Sequence, residues 1–161
     1  MRKLIRKGNA LVTTVVVLLA ISILAAGLTT YFYYATIQTN NQNLYNNKRI
    51  ELENQFNKNY RLILLDEPVT FDNHEEKNIN GQIATLGNNA TFTFTLNGYK
   101  NKIERIADVD ENTKAFKYSI ETSYELKSGR IRDYTLVKTL NLSSTLEYSI
   151  ANTEGFYVTT I

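Results

Sequence analysis

The 161-residue chain has no cysteine and no tryptophan, one proline (Pro68) and one histidine (His74). Without cysteine there are neither disulfides nor thiolate metal sites, so a domain outside the cell must hold together by packing alone. That absence carries no argument for the cytosol. One histidine excludes a His-x-x-x-His zinc pair and leaves a Ser-His-Asp triad without support. His74, within His74-Glu75-Glu76, reads as a surface-loop residue. There is no glycine-rich phosphate loop, no internal repeat and no low-complexity tract. Nothing resembles an active site, so the reading is not that of an enzyme, and no cofactor or metal is implied.

Charge is also missing where it matters. From Gly8 to Asn47 there is no charged side chain. The formal net charge is +2, but Arg2, Lys3, Arg6 and Lys7 alone contribute four positives, leaving 14 basic against 16 acidic residues beyond them. No basic run suited to nucleic acid follows the leader. Within the uncharged span, Ala10–Leu28 is dominated by Ala, Val, Leu and Ile. As a helix, about 19 residues at ~1.5 Å rise span roughly 29 Å, the thickness of a bilayer's hydrocarbon core. Tyr31-Phe32-Tyr33-Tyr34 follows, rings suited to the membrane–water interface. The positive leader predicts a cytoplasmic N-terminus with the remainder outside.

The helix is expected to continue beyond the membrane. Residues 35–65 lack proline and glycine, and Leu44, Leu52, Phe56, Tyr60, Ile63 and Leu64 recur at helical spacing. One helix from Ala10 to near Leu65 is the simplest reading, stopped by Asp66-Glu67-Pro68. The period then changes from 3.6 to 2. Residues 69–81 read as a polar connector with a short Val69–Phe71 segment. Phe92, Phe94 and Leu96 alternate with Thr91, Thr93 and Thr95, and Asn97-Gly98 signals a hairpin with Lys102–Val109 returning. Phe116 to Leu126 alternates again, Lys127–Arg130 makes a turn, Tyr134 to Leu142 forms the next strand, and Phe156–Ile161 a short last one. The expected fold class is α+β: a long N-terminal helix whose amphipathic half covers the apolar face of a C-terminal antiparallel meander. The organisation is a leader at residues 1–8, a membrane helix at 9–30, its extension at 31–66, and a sheet domain at 67–161.

The leader carries the most information. Arg2-Lys-Leu-Ile-Arg-Lys-Gly8 is short and basic, ends in glycine and abuts the apolar run directly. A secretory signal is cut beyond its apolar core, and Ala25-Ala-Gly27 would serve, but that cut discards the run. A cut after Gly8 keeps it. An uncleaved single-span anchor, carrying a binding module, is the other reading. The arrangement resembles the class III leader of type IV pilins and pseudopilins, over Arg2 to about Leu65 in sequence and over the whole chain in architecture. The resemblance implies cleavage by prepilin peptidase between Gly8 and Asn9, methylation of the new amine on Asn9, and assembly with major and minor pilins into a surface filament. It departs from the family in beginning its mature chain with Asn9 rather than Phe, and in carrying Thr13 where most pilins have Glu as the fifth mature residue. In the family that Glu is taken to pair with the N-terminal amine of the subunit ahead. Tip subunits of the K type resemble this chain in having an uncharged residue there, so Thr13 implies a minor subunit at or near the tip. Alternatively, the threonine simply bonds back to its own helix.

Smaller signals read blandly. Asp108, Asp110 and Asn112 match the first half of a calcium loop, but Thr113 replaces the required glycine and Ser119 the closing glutamate, so a solvated acidic turn is expected. Asn89-Ala-Thr and Asn141-Leu-Ser fit the glycosylation triplet, a pattern common by chance. Tyr99, Tyr118, Tyr124, Tyr134, Tyr148 and Tyr157 divide between strand packing and a binding surface.

Overall fold

The computed structural model describes residues 2–106, 108–145 and 147–160, with the side chains of residues 2–8 and 152–154 outside the description. Helix α1 spans Arg2–Leu65. It is followed by β1 (Pro68–Thr70), β2 (Glu76–Asn78), α2 (Ile79–Ala84), β3 (Thr91–Leu96), β4 (Tyr99–Arg105), β5 (Thr113–Glu125), β6 (Ile131–Ser143) and β7 (Tyr148–Thr160). The α+β class is as expected: one long helix and an antiparallel meander in the order β3-β4-β5-β6-β7, with β1-β2 a separate hairpin. Two units divide the chain, residues 1–45 and residues 46–161.

The first unit is helix alone. The helix continues back through the leader to Arg2 rather than starting at Ala10. Every residue from 9 to 34 is exposed, so this stretch is apolar all round with no protein cover of its own. It is long and apolar enough to cross a membrane.

The second unit packs the last turns of α1 on the sheet. The helix stops at Leu65, where Asp66 takes a left-handed φ of 56° ahead of Pro68. Its buried face is Leu52, Gln55, Phe56, Asn59 and Ile63, with Leu64 exposed. Two of the five are polar, which hydrophobic periodicity cannot register. Opposite them lie the inward residues of the sheet: Leu96 on β3, Ile103 on β4, Phe116, Tyr118 and Ile120 on β5, and Tyr134, Leu136, Leu140 and Leu142 on β6, all buried. Register keeps these on one face, with Ile103 opposite Tyr118, Ile120 opposite Leu136 and Phe116 opposite Leu140. Phe56 stacks on Tyr60 and tilts against Tyr118 at 5.4 Å.

Three further sequence expectations need correction. The polar connector at 69–81 is a formed hairpin followed by a helical turn. Val69 pairs with Lys77, and the Asn78 side chain caps α2 by accepting from the Gly81 N–H at 3.2 Å. These elements are too short for a period to emerge, and Ile79 and Ile83 bury their side chains from α2. The returning strand is Tyr99–Arg105, not Lys102–Val109. A two-residue turn, with φ 53° at Asn97 and 77° at Gly98, pairs Leu96 with Tyr99 at once and leaves no lead-in. Finally, β7 is 13 residues long rather than the short Phe156–Ile161, of which Ile161 lies outside the described residues. The strand extends back past Gly155 to Tyr148. Irregular register between Val137 and Lys138 and between Thr139 and Leu140 lets its pairing with β6 run that full length.

Phe56 is fully buried at the helix–sheet interface. Phe56→Ala is expected to lower stability by about 3–5 kcal/mol, a large loss for a domain this size, measured by urea unfolding of the full chain in detergent.

Candidate functional site

The N-terminal region singled out by the sequence lies on one continuous helix. Gly8 belongs to the α1 backbone, while its burial and the side chains of Arg2, Lys3, Arg6 and Lys7 lie outside the described residues. Glycine inside a helix costs about 1 kcal/mol relative to alanine, so Gly8 is a local weak point between the basic leader and the apolar run. Asn9 is exposed, and its carbonyl accepts a hydrogen bond from the Thr13 hydroxyl at 2.8 Å. The two residues named for processing and placement are therefore joined, one turn apart.

That bond is one of a series. Thr13, Thr14, Ser22, Thr29, Thr30, Thr36 and Thr39 each donate their hydroxyl to the carbonyl four residues earlier, at 2.8–2.9 Å. In hydrocarbon no water can satisfy a hydroxyl, so this back-bonding is what makes the five within residues 9–30, Thr13, Thr14, Ser22, Thr29 and Thr30, compatible with a bilayer. Thr13 needs no partner from another chain. A glutamate at the same place would, since a membrane carboxylate costs about 2.5–3.5 kcal/mol on insertion scales.

In the sheet unit the chemistry gathers at the helix–sheet interface. The Asn59 amide nitrogen donates to Asn101 Oδ1 at 3.0 Å and to the Tyr118 hydroxyl at 2.8 Å, and that hydroxyl donates to Asn101 Oδ1 at 3.0 Å. Gln55 donates to Asn59 Oδ1, and Asn101 Nδ2 to the Tyr99 carbonyl. Every side-chain polar atom of Asn59, Asn101 and Tyr118 is used. Beside it, Lys138 is only 7% exposed; its ammonium meets the Glu53 carboxylate and sits 4.5 Å from the centre of the Phe56 ring. Tyr99 donates to Glu51, and Tyr60 to the Tyr148 carbonyl. Periodicity alone misses Asn59, Asn101 and Lys138. The signal for the last two is positional: each stands at an inward place in an alternating strand, Asn101 before Ile103 and Lys138 between Leu136 and Leu140.

Of the tyrosines, Tyr118, Tyr134 and Tyr148 are core residues, Tyr99 is half-buried, and Tyr124 and Tyr157 are exposed. Burial pushes the Tyr118 and Tyr148 phenols well above the ordinary tyrosine range, with the Asp66 charge adding to the effect at Tyr148.

The Asp108–Asn112 segment is an acidic turn. Arg105 holds both oxygens of the Asp108 carboxylate, at 3.0 and 3.1 Å, and Asp110 accepts from the Asn112 N–H. Among the described residues no cluster of three or more His, Cys, Asp or Glu side chains is arranged to hold a metal ion. His74 is exposed at φ 64° in the β1–β2 loop. Asn141 sits inside β6 rather than in a loop, whereas Asn89 is exposed. An open groove of about 860 Å³ runs between the β1–β2 loop and the outer sheet face, past Thr93, Thr95, Lys77, Lys100 and Lys102. Its lysines are already paired, with Glu75, Glu121 and Glu104 respectively. Comparison with protein-family models, curated proteins and solved structures found no match.

The raised phenols carry a pH dependence. Stability stored in neutral Tyr118 and Tyr148 is fully present below the unfolded tyrosine value of about 10 and is lost as pH climbs from there toward the higher folded values, because the unfolded chain then binds fewer protons. The urea midpoint is expected to hold steady below about pH 10 on this account and to fall above it, with the phenolate absorbance of the two tyrosines appearing only on unfolding.

Proposed function

We propose that this chain is a pilin-like subunit of a type IV filament, and that its work is assembly rather than catalysis. The observation that carries the reading is the junction at Gly8. A basic leader ending in glycine runs without a spacer into an uncharged helix able to span a bilayer, and the same helix continues into an amphipathic end packed on an antiparallel meander. A cut beyond the apolar run, as in a secretory signal, would sever the helix whose far end packs on the sheet, whereas a cut after Gly8 leaves the apolar run joined to that end.

In this reading the leader holds the N-terminus in the cytoplasm, prepilin peptidase cuts between Gly8 and Asn9, and the amine of Asn9 is methylated. The helix anchors the subunit as a single pass with the sheet domain outside. It then leaves the bilayer for a filament core, where its apolar surface meets the helices of the major pilin and other minor pilins. The Thr13 hydroxyl, satisfied by Asn9 of the same chain, makes no demand on a subunit ahead, which supports a place at or near the tip, where assembly is primed. The same self-satisfied hydroxyl also suits an uncleaved single-span anchor carrying an extracellular binding module, the second reading.

Intact-mass measurement on protein from its native host separates the two. The pilin reading expects a mature chain beginning at Asn9, and a chain that retains residues 1–8 sinks it. For tip placement, Thr13→Glu is expected to be silent or to weaken assembly. Labelling that finds the wild-type subunit along the shaft overturns that part.

A further inference from the structure

The chain contains two Asn-Gly dipeptides, Asn80-Gly81 and Asn97-Gly98. In this pairing the glycine amide nitrogen can attack the asparagine side-chain carbonyl carbon, since no Cβ obstructs the approach. The backbone N–H must lose its proton as the new N–Cγ bond forms. The Cγ–Nδ2 bond then breaks and ammonia leaves with that proton. Water opens the cyclic imide to aspartate or isoaspartate.

The two sites are held differently. Asn80 lies in α2, its side-chain oxygen accepts from the Tyr148 hydroxyl, and the Gly81 N–H is taken by the capping Asn78. Asn97-Gly98 has none of that cover. Both residues are exposed at the tip of a two-residue hairpin, and a Cβ at Gly98 would meet nothing within 4 Å. Here the control is a carboxylate 25 residues away. Asp72 Oδ2 accepts the Gly98 N–H and Oδ1 the Asn97 N–H, both at 2.9 Å. Asp72 is itself anchored. Its N–H donates to the Thr95 carbonyl at 3.0 Å, and the preceding Phe71 ring stacks on Phe94 at 4.8 Å.

We propose that Asn97 is a latent self-modification site and that the Asp72 carboxylate is its lock. The hydrogen bond occupies the proton that must leave, and the adjacent negative charge opposes formation of the amide anion that attacks. Conversion is one-way. It places a second carboxylate, and in isoaspartate also an extra backbone methylene, in the turn that Asp72 grips, so the loop at 71–75 loses its hold on the hairpin and the β3 edge opens.

The test is peptide mapping by mass spectrometry of the full chain in detergent, incubated at neutral pH, with a free peptide of residues 95–100 as reference. Asn97 in the wild type is expected to convert more slowly than in the peptide. Asp72→Ala should speed it roughly tenfold, the effect of one unit on the acidity of the amide. The Asn80 rate should stay unchanged, and Asp72→Asn, which keeps an acceptor but no charge, should fall between. An unchanged Asn97 rate in Asp72→Ala overturns the proposal. So does equal acceleration at Asn80 and Asn97 in both variants, which would trace the effect to loss of the fold.

Discussion

A triangle of hydrogen bonds among Asn59, Asn101 and Tyr118 fixes how the helix sits on the sheet. The surrounding apolar contacts are less particular: Leu52, Phe56 and Ile63 repeat at helical spacing, and a slip of one turn would still bury hydrocarbon. The triangle does not allow the slip. Displacement would strand buried amide and phenol groups, each at a cost of about 1–3 kcal/mol, whereas in register all are used. Lys138 meeting Glu53, Tyr99 meeting Glu51 and Tyr60 meeting Tyr148 depend on the same alignment. The polar interior thus selects one arrangement among several that the apolar surface alone would accept.

The two edges of the meander are managed by different means. On β3, the loop between β1 and β2 lies against the strand, bonded to Thr95 through the Asp72 backbone and closed by the Phe71, Phe92 and Phe94 rings. On β7, irregular register interrupts the run of paired residues. Both devices shorten the straight, open backbone on which another chain could add.

Much of this architecture is legible in the sequence because it rests on long, regular patterns. The uncharged run, the shift in period after Pro68 and the Asn97-Gly98 turn specify the helix, its end, and the β3–β4 hairpin. What is not legible is short or polar. Helix α2 holds six residues, and the β1–β2 hairpin pairs only three on each side. Asn59, Asn101 and Lys138 look like surface residues until register places them inside. Asp72 carries no signal at all, since its partners lie 25 and 26 residues onward. In the first unit composition marks only the basic leader and the uncharged run; Gly8, Asn9 and Thr13 stand out through the resemblance to pilin leaders, and the bond between Thr13 and the Asn9 carbonyl is a property of helical geometry.

The back-bonded hydroxyls of α1 make that segment indifferent to its surroundings. A transmembrane helix that relied on lipid headgroups, water or a neighbouring chain to satisfy its polar atoms would resist being moved. This one brings its acceptors with it, in its own preceding turn. Lipid tails and the side chains of other helices are equally apolar neighbours to such a surface, so exchanging one for the other involves no polar desolvation. In the proposed filament reading, fit of shape then decides which neighbour it keeps, and the segment passes between two solvents as a single unchanged part.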